Sequence, residues 1–248
     1  MSSVIHLVGA QALLLLRSAQ SARREGLSRK EVLKQAAELG AGSGPLIVAG
    51  MSFFGAVLVT IAWAQGRKYL GTINMMGPPY FELLIREFAP LLVSFLVASR
   101  AAASTSAELG AMTVNEQVEA LELSAADPLV ELVAPRIVAA ILTVPLLTAL
   151  GLVASAATAS LTVTFVFNAD GAAFIDPRYV DLGDVLCALS KAVLNGAFIP
   201  LAASLRGLRA KGGAGAVGEA VTMGVVEACM GCLVIDFVVS IVFLILGL

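Results

Sequence analysis

The chain has one histidine, three cysteines and one tryptophan in 248 residues. A lone imidazole, His6, leaves no partner for a histidine-based metal cluster or catalytic dyad. Cys187 stands by itself. Cys229-Met-Gly-Cys232 lies in an apolar stretch, where thiols stay neutral and behave as small buried hydrophobes. Charge is scarce too: 14% of residues are Asp, Glu, Lys or Arg, against ~25% in an ordinary soluble domain. No G-x-x-x-x-G-K-[ST] occurs, so the sequence offers no P-loop of its own. With no nucleophile–base pair or metal-ligand set, the chain reads as a non-enzyme with no cofactor of its own.

What is present is apolar. Hydrophobic residues make up 58% of the chain and the mean hydropathy is +0.92. Several runs exceed the ~20 residues that cross a bilayer, which predicts an all-α, multi-pass membrane protein. Five spans are expected, at about Pro45–Gln65, Tyr80–Ala103, Leu132–Phe167, Leu182–Leu205 and Ala216–Leu248, with Trp63 and Tyr69 as interface anchors. The third is longer than a bilayer requires, so it tilts, bends near Pro145 or projects beyond the membrane. These spans form one membrane domain over 41–248. The apolar run Val4–Leu16 precedes its basic residues rather than following them, the wrong order for a secretory signal, and is too short to span. Residues 1–40 therefore read as interfacial or elbow helices, with Arg17, Arg23, Arg24, Arg29, Lys30 and Lys34 against headgroups.

These six basic residues, with Arg206, Arg209 and Lys211, put nine (six plus three) on the side of the N-terminus. Arg67, Lys68 and Arg178, the last among Asp170, Asp176 and Asp181, lie opposite. The positive-inside rule then places the N-terminus in the cytoplasm. Residues 104–131 fall on that same side. They carry Glu108, Glu116, Glu119, Glu122, Asp127 and Glu131 and no basic residue, which runs against the charge bias and points to a protein partner.

Inside the spans, Ser94, Ala98, Ala102 and Ser106 recur at intervals of four, as do Gly151, Ser155 and Ala159. Such rows let helices approach closely, within a bundle or across a dimer. Gly213-Ala-Gly215-Ala-Val-Gly218, with Asp236 eighteen residues on, imitates a dinucleotide fingerprint. It lacks the preceding strand and leads into a span, so it reads as a flexible loop. Ionisable residues in spans are functional candidates by default. Lys191 and Asp236 lie at similar depths on antiparallel spans and are expected to pair. Glu227 has no evident mate and reads as protonated or facing a wet cavity. Glu82 and Arg86 are placed to bridge on one helix face beside Glu87.

The same stretches carry a family resemblance. Arg86-Glu87-Phe88-Ala89-Pro90, Ser99-Arg100, Ala107-Glu108-Leu109-Gly110-Ala111-Met112, Asn115-Glu116-Gln117-Val118-Glu119-Ala120-Leu121-Glu122, Asp127-Pro128-Leu129 and Pro135-Arg136 resemble the MlaE/YrbE-type permeases. So do Lys191, Val217-Gly218 and Asp236-Phe237-Val238-Val239-Ser240, over about residues 40–248. Thr113 and Glu219 stand where that family commonly has basic residues.

The resemblance implies an MlaE-type permease fold and an ABC-type lipid transporter of the bacterial inner membrane, maintaining outer-membrane lipid asymmetry. Its implied partners are a second permease copy, a cytoplasmic ATPase that holds ATP-Mg, a periplasmic MCE-domain protein, a small STAS-domain protein and phospholipid; nucleic acid is not among them. It also implies that Glu108, Met112, Glu116, Gln117, Glu119, Glu122 and Asp127 belong to a coupling segment docked on the ATPase. Arg86, Glu87, Arg100, Lys191, Glu227 and Asp236 are candidates for the lipid path. Read as one continuous helix, 108–122 gathers Glu108, Asn115, Glu119 and Glu122 in an arc of about 60°, opposite Val114, Gln117 and Leu121. A membrane scaffold without transport and an ion-coupled carrier are the competing readings.

Overall fold

The structure, a computed structural model, describes residues 2–69, 77–171, 175, 178 and 180–247. Asp176, Leu248 and the side chains of His6 and Tyr69, invoked above, lie outside that description. Regular structure among the described residues is entirely helical. In chain order the helices are α1 (Ser2–Glu25), α2 (Arg29–Tyr69), a long rod over 77–114 called α3, the short α4 (Gln117–Leu123), α5 (Ala134–Phe167), α6 (Leu182–Gly207) and α7 (Ala214–Leu246).

Among the described residues, four continuous stretches are long and apolar enough to cross a membrane: Arg29–Lys68, Leu129–Phe167, Leu182–Gly207 and Ala214–Leu246. The fifth expected span, Tyr80–Ala103, forms the middle of α3. It is not one uniform helix, because π turns at Leu84–Phe88 and Ala98–Ala102 interrupt it. A third π turn, Leu129–Val133, leads into α5. Two of the three have a sequence cause. Pro90 and Pro135 follow Phe88 and Val133 by two residues and lack the N–H that would bond the carbonyls of Arg86 and Glu131 in an α-helix. Nothing in the local sequence accounts for the turn at Ala98–Ala102.

The first span begins earlier than its hydropathy suggests. α2 starts at Arg29 and runs through Pro45, so residue 40 lies mid-helix. The interfacial helix is also longer than its apolar run. α1 lies against the start of α5 and against α6, with Leu14 packed on Val133, Ile137 and Leu201 while Leu13 and Leu16 stay exposed.

The rods alternate in direction. Residues 26–28, 115–128 and 208–213 collect at one end, here the near end, and 168–171 and 180–181 at the far end. α2 packs most extensively on α5, running parallel to it, and Gly55 lies so close to the Ser155 carbonyl that a side chain would collide. Ser94, Ala98, Ala102, Ser106, Ser155 and Ala159 are each 0% exposed. Both small-residue rows are thus consumed inside the chain, where dispersion at short range replaces the missing hydrophobic drive in lipid. The main core around them includes Ile47, Met51, Val93, Val97, Val144 and Ile199.

Candidate functional site

Pro90 opens the first feature of the site. The Arg86 carbonyl that it leaves without an α-helical partner accepts a hydrogen bond from Lys191 Nζ of α6 at 2.9 Å. Lys191 is fully buried and also contacts Glu87 Oε2. Its third neighbour is Asp236 Oδ1 of α7 at 3.3 Å, so the expected pair forms. That contact is a charge contact only, since Asp236 Oδ1 makes no hydrogen bond. Ser240 Oγ, one turn on, lies 3.1 and 3.0 Å from the two Glu87 oxygens.

Arg86 does not bridge to Glu82. The π turn changes the helical phase between them, and Arg86 Nη1 meets Asp184 Oδ1 of α6 at 3.1 Å. Two cations (Arg86, Lys191) thus face three carboxylates (Glu87, Asp184, Asp236), a formal charge of +2 − 3 = −1. Such a set inside a membrane bundle is costly unless paired, and here each member has a counter-charge. Asn195, one turn beyond Lys191, donates from Nδ2 to Ser94 Oγ at 2.9 Å, and Ser106 Oγ donates to the Ala203 carbonyl at 3.1 Å. A polar seam therefore runs along the contact of α3 with α6.

Glu227 does have a mate. Its Oε1 accepts from Arg206 Nε at 2.7 Å and from Nη2 as well. Lys191 opposite Asp236, and Ala203 beside Gly224, place residue 221 level with Arg206. Glu227 is then six residues farther along, ~9 Å at ~1.5 Å per residue. The gap closes because helical side chains slant toward their own N-terminus, and in an antiparallel pair these two slant toward each other.

At the near end the polar segment is not one continuous helix. It breaks at Asn115 and Glu116, the latter left-handed at φ 58°, before α4 begins. Glu108 therefore shares no face with Glu119 and Glu122, and the predicted arc does not exist. Glu108 Oε1 instead meets Arg136 Nη2 of α5 at 2.8 Å. Asp127 Oδ1 accepts the Leu129 N–H at 2.9 Å, capping the entry into the third π turn. No residue of α4 is buried: Gln117 is exposed and Leu121 only half-buried, so the two do not form a packed inner face. Glu116, Gln117, Glu119 and Glu122 are exposed, Met112 is half-buried, and Leu123 is 90% exposed. Arg100 lies apart from both clusters, beside Ser43 of α2.

A family model described as Permease MlaE matches residues 32–242. The chain belongs to the MlaE permease family. Similar proteins include a probable ABC transporter permease of Rickettsia typhi, 31% identical over 94% of this chain and 90% of its own length. Another, from Synechocystis, is 31% identical over 86% of this chain and 82% of its own. The chloroplastic Protein TRIGALACTOSYLDIACYLGLYCEROL 1 of Arabidopsis thaliana is 31% identical over 76% of this chain and 55% of its own. As an MlaE-family chain it is a multi-pass membrane subunit of the ABC permease type, a class that works with an ATPase partner.

Several residues of this MlaE-type site escaped sequence reasoning. Asp184 precedes Lys191 by seven, two turns on the same face, which is a legible signal. Arg206 reads in the sequence only as a loop charge. Arg136 and Ser240 stood within the family motifs without a partner assigned. Asn195 carried no signal beyond being polar within a span.

Proposed function

We propose that this chain is the permease subunit of an ABC-type lipid transporter, moving phospholipid between the inner membrane and the outer envelope of a bacterium. The observation that carries the reading is α4, a helix with no buried residue hung between two membrane rods and ending in the bare Leu123. An acidic helix with an exposed apolar tip suits a groove on a partner, with rim charge for steering and one anchor for affinity. The family's ABC type supplies the class of that partner. The name of the Arabidopsis relative, which refers to a galactolipid, supports a lipid cargo.

In this reading the ATPase sits at the near end, in the cytoplasm with the N-terminus, where nine of the chain's basic residues also fall. ATP and Mg belong to the ATPase chain, and this chain holds no cofactor. A second permease copy packs against the outer face of α7, where Met230, Val234 and Phe237 are exposed. An MCE-domain protein covers the far end, and a small STAS-domain protein accompanies the ATPase.

ATPase closure pushes α4, whose links run into α3. From α3 the displacement passes to α5 through Glu108–Arg136, and to α6 and α7 through Glu87, Lys191 and Asp236. The buried cluster thus fastens three rods into a unit that can rock and open a lipid pocket between the two copies.

The test is reconstitution with the ATPase and the MCE-domain protein between donor and acceptor vesicles. Lipid transfer that requires ATP supports the proposal. Transfer driven by an ion gradient without ATPase, or assembly without any transfer, would overturn it in favour of a carrier or a scaffold.

A further inference from the structure

Three helices change character at one level. Glu38 is the last charge of α2 before its apolar stretch, Arg136 is the last charge of α5 before its own, and Arg100 is the first charge of α3 after residues 88–99. All three line a single cleft of about 290 Å³, together with Gln35, Ser104 and Glu108. Its inner wall continues into a small recess against Leu39, Val97 and Ile199. A polar mouth beside an apolar wall, at the depth where charge gives way to hydrocarbon, is where a headgroup sits.

The charges in the cleft are unequally satisfied. Arg136 is neutralised by Glu108 at 2.8 Å. Arg100 has Ser43 Oγ at 3.3 Å and, among the described residues, no carboxylate within ion-pair distance. Glu38 likewise has no cation partner among the described residues. The backbone nonetheless makes room for this arginine: a methyl group at Gly42 would overlap its guanidinium. An exposed cation held beside Gly42 and Ser43 and an exposed carboxylate on the same cleft, neither with a counter-charge among the described residues, are complementary to a phosphate and an ammonium on one small molecule.

We infer that this cleft binds the headgroup of a zwitterionic aminophospholipid from the adjoining leaflet. The phosphate lies on Arg100, with the Ser104 hydroxyl as a second donor, and the ammonium lies on Glu38. The site sits on the flank of one protomer, between α2, α3 and α5, and is separate from the Lys191 cluster. Its role as a place of lipid entry or exit rests on the transport reading above; its binding chemistry does not.

The full chain, purified in detergent, is offered equal amounts of phosphatidylethanolamine, phosphatidylglycerol and diacylglycerol, and bound lipid is counted by native mass spectrometry. Wild type should retain phosphatidylethanolamine about tenfold over diacylglycerol, the factor that one charge-assisted hydrogen bond supplies. Arg100→Ala should lose that margin for both phospholipids. Gly42→Ala should do the same by displacing the guanidinium with no change of charge, which keeps the test open if Arg100→Ala does not fold. Glu38→Gln should reduce phosphatidylethanolamine alone.

Unchanged retention in both Arg100→Ala and Gly42→Ala, or equal binding of diacylglycerol, overturns the site. Displacement of the lipid by millimolar inorganic phosphate overturns the lipid as its ligand in favour of free phosphate. Failure of the permease reading shows itself separately, as absent ATP-driven transfer by the wild-type complex while lipid retention persists.

Discussion

Lys191 Nζ donates to the Arg86 carbonyl at 2.9 Å, inside the π turn that precedes Pro90. One side chain thereby satisfies a backbone acceptor that a proline set free, and brings two carboxylates to the same ammonium. Helix irregularity and the charge cluster are one feature, since the π turn sets how Arg86 and Glu87 are presented to α6.

Removing that ammonium strands Glu87, the carbonyl and Asp236 together. Lys191→Met should lower stability by about 3–5 kcal/mol, the usual cost of breaking a buried pair from one side. Asp236→Asn should cost clearly less, because its Oδ1 makes no hydrogen bond. Thermal unfolding in detergent, followed by Trp63 fluorescence, ranks the two. Equal losses would show that Asp236, rather than Glu87 and the carbonyl, is the principal partner.

Glu108 and Arg136 join α3 to α5 next to the segment that carries α4. Glu108→Arg or Arg136→Glu should each depress lipid-stimulated ATPase activity of the assembled transporter, and the double exchange should recover much of it. The stability coupling should be only ~0.5–1 kcal/mol, because Glu108 is half-exposed and solvent screens the pair. A double exchange no better than the worse single variant would remove this pair from the coupling path.

Reversing charge at Glu116 or Glu119 should uncouple ATP hydrolysis from transfer or loosen the complex, without altering unfolding of the isolated chain, since neither side chain is buried. Leu123→Asp should weaken ATPase docking more than either, by about tenfold or more in Kd, as expected for loss of a central anchor. Titration of the ATPase onto the reconstituted permease measures both. Wild-type affinity and transfer in all three variants would leave α4 without a docking role.

The break at Glu116 depends on a left-handed residue at φ 58°. Glu116→Gly should be neutral or slightly stabilising, whereas Glu116→Val should cost about 1–2 kcal/mol at the same position. If valine proves harmless, the segment runs as one helix in the folded protein and the arc read from sequence returns.

The fold class was legible because hydropathy and helical period are local properties. Five apolar runs, the acidic stretch and the pairing of Lys191 with Asp236 needed only the length of a helix and the thickness of a bilayer. The segment 104–131 misled for the same reason. Its residues favour helix throughout, and no local signal tells a continuous rod from one turned at Glu116. Glu227 has no partner at its own backbone depth, and it is side-chain slant that closes the gap of six residues to Arg206.

What the sequence by itself determined is therefore the all-helical, multi-pass character of the chain: which stretches are apolar enough to cross a membrane, which links between them are polar, and which family shares the pattern. The tertiary structure decided how each charge is spent. Arg86 turns to Asp184, Glu108 to Arg136 and Arg206 to Glu227, while Arg100 and Glu38 face one cleft with no protein counter-charge among the described residues. Burial of apolar surface depends on composition and period, which a sequence displays. The partner of a charge depends on helix phase, rod direction and a few ångströms of side-chain reach, which only the assembled bundle sets.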